Sequence, residues 1–112
     1  MVKVFAFLTK RDAIDTRTFI DYYENSHVPL VLSLAPAPAV YKRNYLLRGD
    51  ESNREDNAID FDVVTELVFD DRTEFTAWLE RLGVDQIATD EERFLDRTRT
   101  RAYIIEEHTT GT

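Results

Sequence analysis

FDVVTELVFDDRTEFTAWLERLG, residues 61–83, changes its periodicity partway along, and that change decides the fold. Its first nine residues alternate. Phe61, Val63, Leu67 and Phe69 fall on one side, and Asp62, Val64, Glu66 and Val68 on the other, which reads as a β-strand over 61–69. From Asp71 the spacing becomes helical, with Phe75, Trp78, Leu79 and Leu82 in one buried stripe. Asp71 suits the helix cap, Glu74 completes a capping box, and Gly83 suits the position just past the end. The strand carries apolar residues on both sides, Val64 and Val68 among them, so one helix layer cannot be its only cover.

Working outward, VYKRNYLLR at 40–48 reads as the preceding strand. GDESNREDNAID at 49–60 lies between the two, polar and aperiodic, and reads as a mobile surface loop. VKVFAFLT at 2–9 is a first strand, β-branched and aromatic. Asp15 then caps a helix, with Ile14 and Phe19 placed as a hydrophobic staple. Phe19, Tyr23, His27, Leu30 and Leu34 form one face of that helix. Pro29 lacks an N–H and predicts a kink over residues 25–29, and APAPAV ends the element. On the other side, Thr89 and Glu92 repeat the capping-box spacing before a short helix carrying Phe94 and Leu95, and RAYIIEEH at 101–108 is the last strand. The order β-α-β-β-α-β predicts an α+β, ferredoxin-like fold, with a four-stranded antiparallel sheet in a single domain over 1–112. Two helices cover one sheet face only. The opposite alternation, including Val64 and Val68, then needs a partner, and a homodimer packed sheet against sheet is the expected answer.

Composition excludes several functions. A chain of 112 residues with 43% hydrophobic and 12% aromatic content can bury a core. It has no cysteine, hence no disulfide, thiolate metal site or cysteine nucleophile. A net charge of −8 argues against nucleic acid or an anionic membrane as partner. No apolar run approaches the roughly 18 residues of a membrane span, and no signal peptide is read at the N-terminus, so a cytoplasmic protein is expected. The glycines at 49, 83 and 111 form no phosphate loop, and no G-x-S-x-G elbow occurs. Glu24-x-x-His27 has di-iron spacing, but the second such pair is missing, so no metal site is expected.

His27 is the most informative residue left. Its place on the Phe19–Tyr23–Leu30 face directs the imidazole inward. Two readings stand side by side: a buried neutral ring holding the helix kink, or a general acid/base exchanging protons near its ordinary pKa of ~6.5. Tyr23 lies one turn earlier, where a substrate touching one residue can touch the other. Tyr41 and Tyr45 share one side of the second strand, opposite Lys42 and Asn44, and the side facing the helices should line any cavity. Glu66 is either a rim or dimer-contact charge or a functional carboxylate. The run DEER at 90–93 reads as solvated, helix-capping charge, and Asp96 with Arg97, Arg99 and Arg101 as salt bridges.

FIDYYENSHVPL (19–30), YKRNY (41–45), ELVFDD (66–71) and EERFLDRTRTRAYIIEEH (91–108) together resemble the EthD-like family of dimeric α/β-barrel proteins, over nearly the whole chain. The resemblance implies a ferredoxin-like protomer that dimerises into a barrel, with a ligand cavity between helices and sheet. By position, His27 matches the family's helix histidine, and Tyr41 and Asn44 its second-strand tyrosine and asparagine. The chain departs from the family in the acidic segment 49–60 and in SLAPAPAV. Relatives of this barrel suggest a cofactor-independent enzyme acting by acid/base chemistry on a hydrophobic, aromatic or polyketide-like small molecule. Isomerase, cyclase, dehydratase and monooxygenase chemistry all fit, in catabolism or secondary metabolism. The residues expected to carry it are His27 and Tyr23 as catalytic groups, and Phe19, Tyr41, Asn44, Tyr45 and Glu66 as the substrate contacts. A non-catalytic binding or accessory dimer of a degradative oxidoreductase system is the alternative. A heme barrel with His27 as axial ligand is a third reading, and the expectation is no bound cofactor.

Overall fold

The computed structural model describes residues 1–54 and 59–111. β1 (Val2–Leu8) leads through an Asp15-capped helix α1 (Thr16–Tyr22) into a π-helical turn (Tyr23–His27) and α2 (Val28–Leu34). β2 (Val40–Tyr45), β3 (Val63–Phe69), α3 (Arg72–Leu82), α4 (Asp85–Glu92), a 3-10 turn (Arg97–Arg99) and β4 (Arg101–Ile105) follow. The strands form one antiparallel sheet in the order β2-β3-β1-β4, the ferredoxin-like arrangement the sequence pattern predicts. No helix among the described residues is long and apolar enough to cross a membrane.

Register settles which side chains meet the helices. Val2↔Phe69, Val4↔Leu67, Ala6↔Thr65 and Leu8↔Val63 share the helix side, and β2 adds Tyr41, Arg43 and Tyr45. Lys3, Phe5 and Phe7 pair with Val68, Glu66 and Val64 on the other side, joined there by Arg101, Tyr103 and Ile105 of β4. The helix side divides into two clusters. One joins Leu8, Phe19, Tyr23, Val28, Val63, Phe94 and Leu95; the other joins Val2, Val4, Leu67 and Phe69, with Phe75 and Trp78 against it. Phe19 and Phe94 are fully buried, so truncating either to Ala is expected to cost about 3–5 kcal/mol.

The N-caps at Asp15 and Asp71 form as expected. The Asp15 carboxylate accepts from Thr18 N–H at 2.7 Å, Ile14 and Phe19 pack in one cluster, and Asp71 accepts from Glu74 N–H at 2.8 Å. Pro29 works differently from a simple kink. The Val28 N–H reaches back to the Tyr23 carbonyl, one residue beyond the α-helical partner, so the turn widens before Pro29, and Pro29 sits near the start of α2.

Several boundaries move. β2 ends at Tyr45, β4 at Ile105, and β3 begins at Val63 because Asp62 bends the chain. Asp62 is buried and accepts from Lys10 N–H and the Arg48 guanidinium, which breaks the alternation. Phe61 therefore lands beside Phe7, ring centroids 5.5 Å apart, on the face opposite Val63. α4 starts at Asp85, so Thr89 lies inside it, and Phe94 and Leu95 follow its end. Gly83 ends α3 with a φ of −79°, so no left-handed cap is used. The α3 stripe is only half-covered, with Leu79 50% exposed. Part of the loop expected at 49–60 lies outside the described residues; Gly49 turns there with a φ of 81°.

Candidate functional site

The gap between the two core clusters is a pocket of about 290 Å³ under α3, with the sheet as its floor. Val4, Ala6 and Leu8 of β1 and Thr65 and Leu67 of β3 form that floor, and Tyr41 adds to it from β2. Phe75, Trp78 and Leu82 wall one side, and Tyr23, His27, Ile87 and Glu91 another. A larger depression of about 610 Å³ beside Arg11, Glu92 and Arg97 is a polar surface feature that contains none of the candidate residues.

The π turn presents His27 to this pocket, 6% exposed, between the rings of Tyr23 and Phe94. Its Nδ1 lies 2.8 Å from Oδ2 of Asp90 on α4. The Tyr22 hydroxyl donates to the other oxygen of the same carboxylate at 2.6 Å. An ionised carboxylate only accepts, so Nδ1 donates this bond, which leaves Nε2 as the nitrogen that can take up or release a proton. An imidazole oriented by a carboxylate in this way is the arrangement a general base requires.

Tyr23 and Thr65 hydroxyls lie 2.7 Å apart, buried at the pocket floor. Burial pushes the Tyr23 and Tyr41 phenols well up, so both remain protonated donors rather than phenolates at neutral pH. Glu91, next to Asp90, also lines the pocket. Burial raises its carboxyl, against the opposing pull of His27 and of Arg97, whose Nε is 3.4 Å away. Behind Tyr41, the Arg43 Nε and Nη2 donate to the two oxygens of Glu24 at 2.9 and 2.6 Å, and the Tyr45 hydroxyl donates to one of them. That guanidinium holds Glu24 below the ordinary carboxylate range and stacks 4.9 Å over Tyr41.

His27, Tyr23 and Tyr41 thus come together. The other expected residues do not join them. Phe19 is sealed in the core behind Tyr23, and Tyr45 packs on Phe19 and turns its hydroxyl to Glu24. Asn44 and Glu66 are corrections: the two-residue period of β2 and β3 turns both to the opposite sheet face. There Asn44 donates to the Val64 carbonyl, and Glu66 faces Lys3 at 3.4 Å and Lys42 at 4.0 Å.

Asp90 and Glu91, read from sequence as solvated charge, are the main additions. The available signal was Ile87, 6% exposed and four residues before Glu91 on the same face of α4. Thr65 was legible too, as the polar position within the otherwise apolar Val63–Leu67–Phe69 alternation. Trp78, expected in the core, forms pocket wall instead, and its Nε1 is buried without an acceptor among the described residues. No group of three or more His, Cys, Asp or Glu among the described residues is arranged to hold a metal ion.

The profile of the EthD domain matches residues 11–98. A Bacillus halodurans protein described as an ethyl tert-butyl ether d (EthD) family protein superposes with a TM-score of 0.64 at 22% identity, over 96% of this chain and 99% of its own. An Arabidopsis thaliana protein superposes at 0.69 with 10% identity, over the full length of both. A Thermobifida fusca protein, described as a dimeric ferredoxin-like protein of unknown function, reaches 0.57 at 13% identity, over 93% of this chain and 88% of its own. At these identities the three share a fold with this chain. No curated protein sequence matches it.

Proposed function

Because the chain belongs to the EthD domain family, its match spanning residues 11–98, we propose that the pocket houses a cofactor-independent acid/base enzyme for a hydrophobic, aromatic or polyketide-like small molecule. The observation that carries this reading is the 2.8 Å contact between His27 Nδ1 and Asp90 at the wall of a mainly apolar pocket. His27 Nε2 removes a proton from a carbon or hydroxyl of the ligand, and Asp90 stabilises the imidazolium that forms. The Tyr23 hydroxyl, held protonated by its burial, donates to the oxygen on which charge develops, with Tyr41 beside it. Returning that proton to a different atom gives isomerisation or cyclisation, and elimination gives dehydration. A substrate carbanion that reacts with O2 itself gives oxygenation. The acting unit in this proposal is a homodimer joined through the sheet faces that the helices leave uncovered.

The test is turnover on a panel of aromatic ketones, phenols and linear polyketones by wild type, His27→Ala and Asp90→Asn. Rates are expected to fall about 10²–10⁴-fold in both variants, with folding checked by circular dichroism. Ligands that bind unchanged, with equal affinity in all three proteins, point instead to the non-catalytic binding module.

A further inference from the structure

Trp78 carries a buried donor with no acceptor among the described residues, on a side chain that lines the same pocket. Buried N–H groups in folded proteins are nearly always paired, and an indole can only donate. Of the pocket's side-chain oxygens, those of Tyr23 and Thr65 meet each other, Glu91 meets Arg97, and the Thr100 hydroxyl donates to the Asp96 carbonyl. Trp78 is well positioned, its ring packed 5.4 Å from that of Phe69 on an α3 anchored by the Asp71 cap.

The rest of the lining narrows the acceptor. It contains no Lys or Arg, whereas Glu91 is part of it and Asp90 stands just behind His27. An anionic group would enter without a counter-charge and against two carboxyls. Val4, Leu8, Val31, Leu67, Phe75 and Leu82 offer apolar contact to the body of a ligand. Val4 to Leu8 along the floor is four residues of strand, about 13 Å, the length of a two- or three-ring system. Trp78 belongs with the Phe69 cluster at one end of that floor, and His27 packs on Phe94 and Tyr23 of the cluster at the other.

We propose that the Trp78 indole N–H anchors an uncharged acceptor oxygen, a ketone, quinone or ether, on a flat apolar ligand whose opposite end is thereby placed against His27. This inference depends on the reading of the pocket as a ligand site, and adds which ligand chemistry it selects and which residue sets the ligand's direction.

Trp78 is the only tryptophan in the chain, so its indole cross-peak in a ¹⁵N-edited NMR spectrum reports on this group alone. The probes are two matched pairs, 1-tetralone with tetralin and 9-fluorenone with fluorene, and 1-naphthoate as the anion. The ketones are expected to move the indole proton downfield and to bind at least ten-fold tighter than their hydrocarbons, with naphthoate weakest. Trp78→Phe should bind the hydrocarbons as wild type does and lose the preference for ketones. Equal affinity for ketone and hydrocarbon in wild type, or an indole proton that stays in place on ketone binding, overturns the anchor while leaving the pocket a ligand site. The wild-type measurement stands even if the variant does not fold. Failure of every probe to bind wild type overturns the ligand-site reading and the anchor with it.

Discussion

Asp90 receives two hydrogen bonds, from His27 and from Tyr22, and its neighbour Glu91 receives no comparable set. Two adjacent acidic residues on α4 therefore take different parts. Asp90 works as an acceptor that fixes the His27 tautomer. Glu91 is partly removed from water, and His27 and Arg97, the latter at 3.4 Å, offset that only in part. Its carboxyl is raised, chiefly by burial, so the folded protein holds this proton more tightly than the unfolded chain does. Such a group favours folding below its ordinary value of 4.5, and that contribution is lost as the pH climbs through the raised value. Glu91→Gln is accordingly expected to raise Tm at pH 7, with the difference closing below about pH 4; calorimetry across pH checks this, and a lower Tm at pH 7 contradicts it. Neither acid was legible in DEER, because a charge run on a helix end looks the same whether it meets water or another element.

The π turn is the element that gives the site its shape. One extra residue within Tyr23–His27 rotates α2 relative to α1, and the Pro29 that follows cannot restore the lost α-helical bond. The turn is pinned to β2 from outside by the paired contacts of Arg43 with Glu24 and by the Tyr45 hydroxyl. The lowered Glu24 carboxyl makes the sign of the pH effect the reverse of that at Glu91. Its contribution is present above the ordinary 4.5 and fades as pH falls through the depressed value. Glu24→Gln should lower stability at pH 7 by about 1 kcal/mol or less, since the two side chains are 33% and 21% exposed, and should match wild type in strong acid. Urea titrations at pH 7 and pH 2.5 measure it. An equal loss at both pH values would mean that packing, not charge, holds the turn. Pro29 signalled an irregularity at the right place, but a kink and a widened turn carry the same sequence signature.

At the scale of the molecule, the sheet has one face under helices and one face without them. Phe5, Phe7, Val64 and Tyr103 share the uncovered face with Phe61 packed on Phe7, and Tyr103 is 53% exposed. Lys3 and Glu66 sit among them as a close ion pair, joined by Glu107. A patch of this kind is what a second copy of the chain covers in the proposed dimer. Light scattering at micromolar concentration is expected to give twice the chain mass, and Phe7→Asp to halve it while lowering Tm. A monomeric wild type would remove the dimer from the proposal and leave the protomer pocket as described.

The order of elements, the caps at Asp15 and Asp71 and the split of each strand into two faces followed from periodicity and local hydrogen bonding, which act over a few residues. Inward His27 followed for the same reason, whereas which side of β2 meets the helices did not. The tertiary structure alone decided that Asp90, 63 residues from His27 along the chain, closes on its imidazole, that Asn44 and Glu66 turn away from the pocket, and that Trp78 lines a cavity instead of filling a core. Those outcomes depend on how α3 and α4 lie on the sheet. Such packing is a balance of many weak contacts between distant segments, and no single stretch of sequence encodes it.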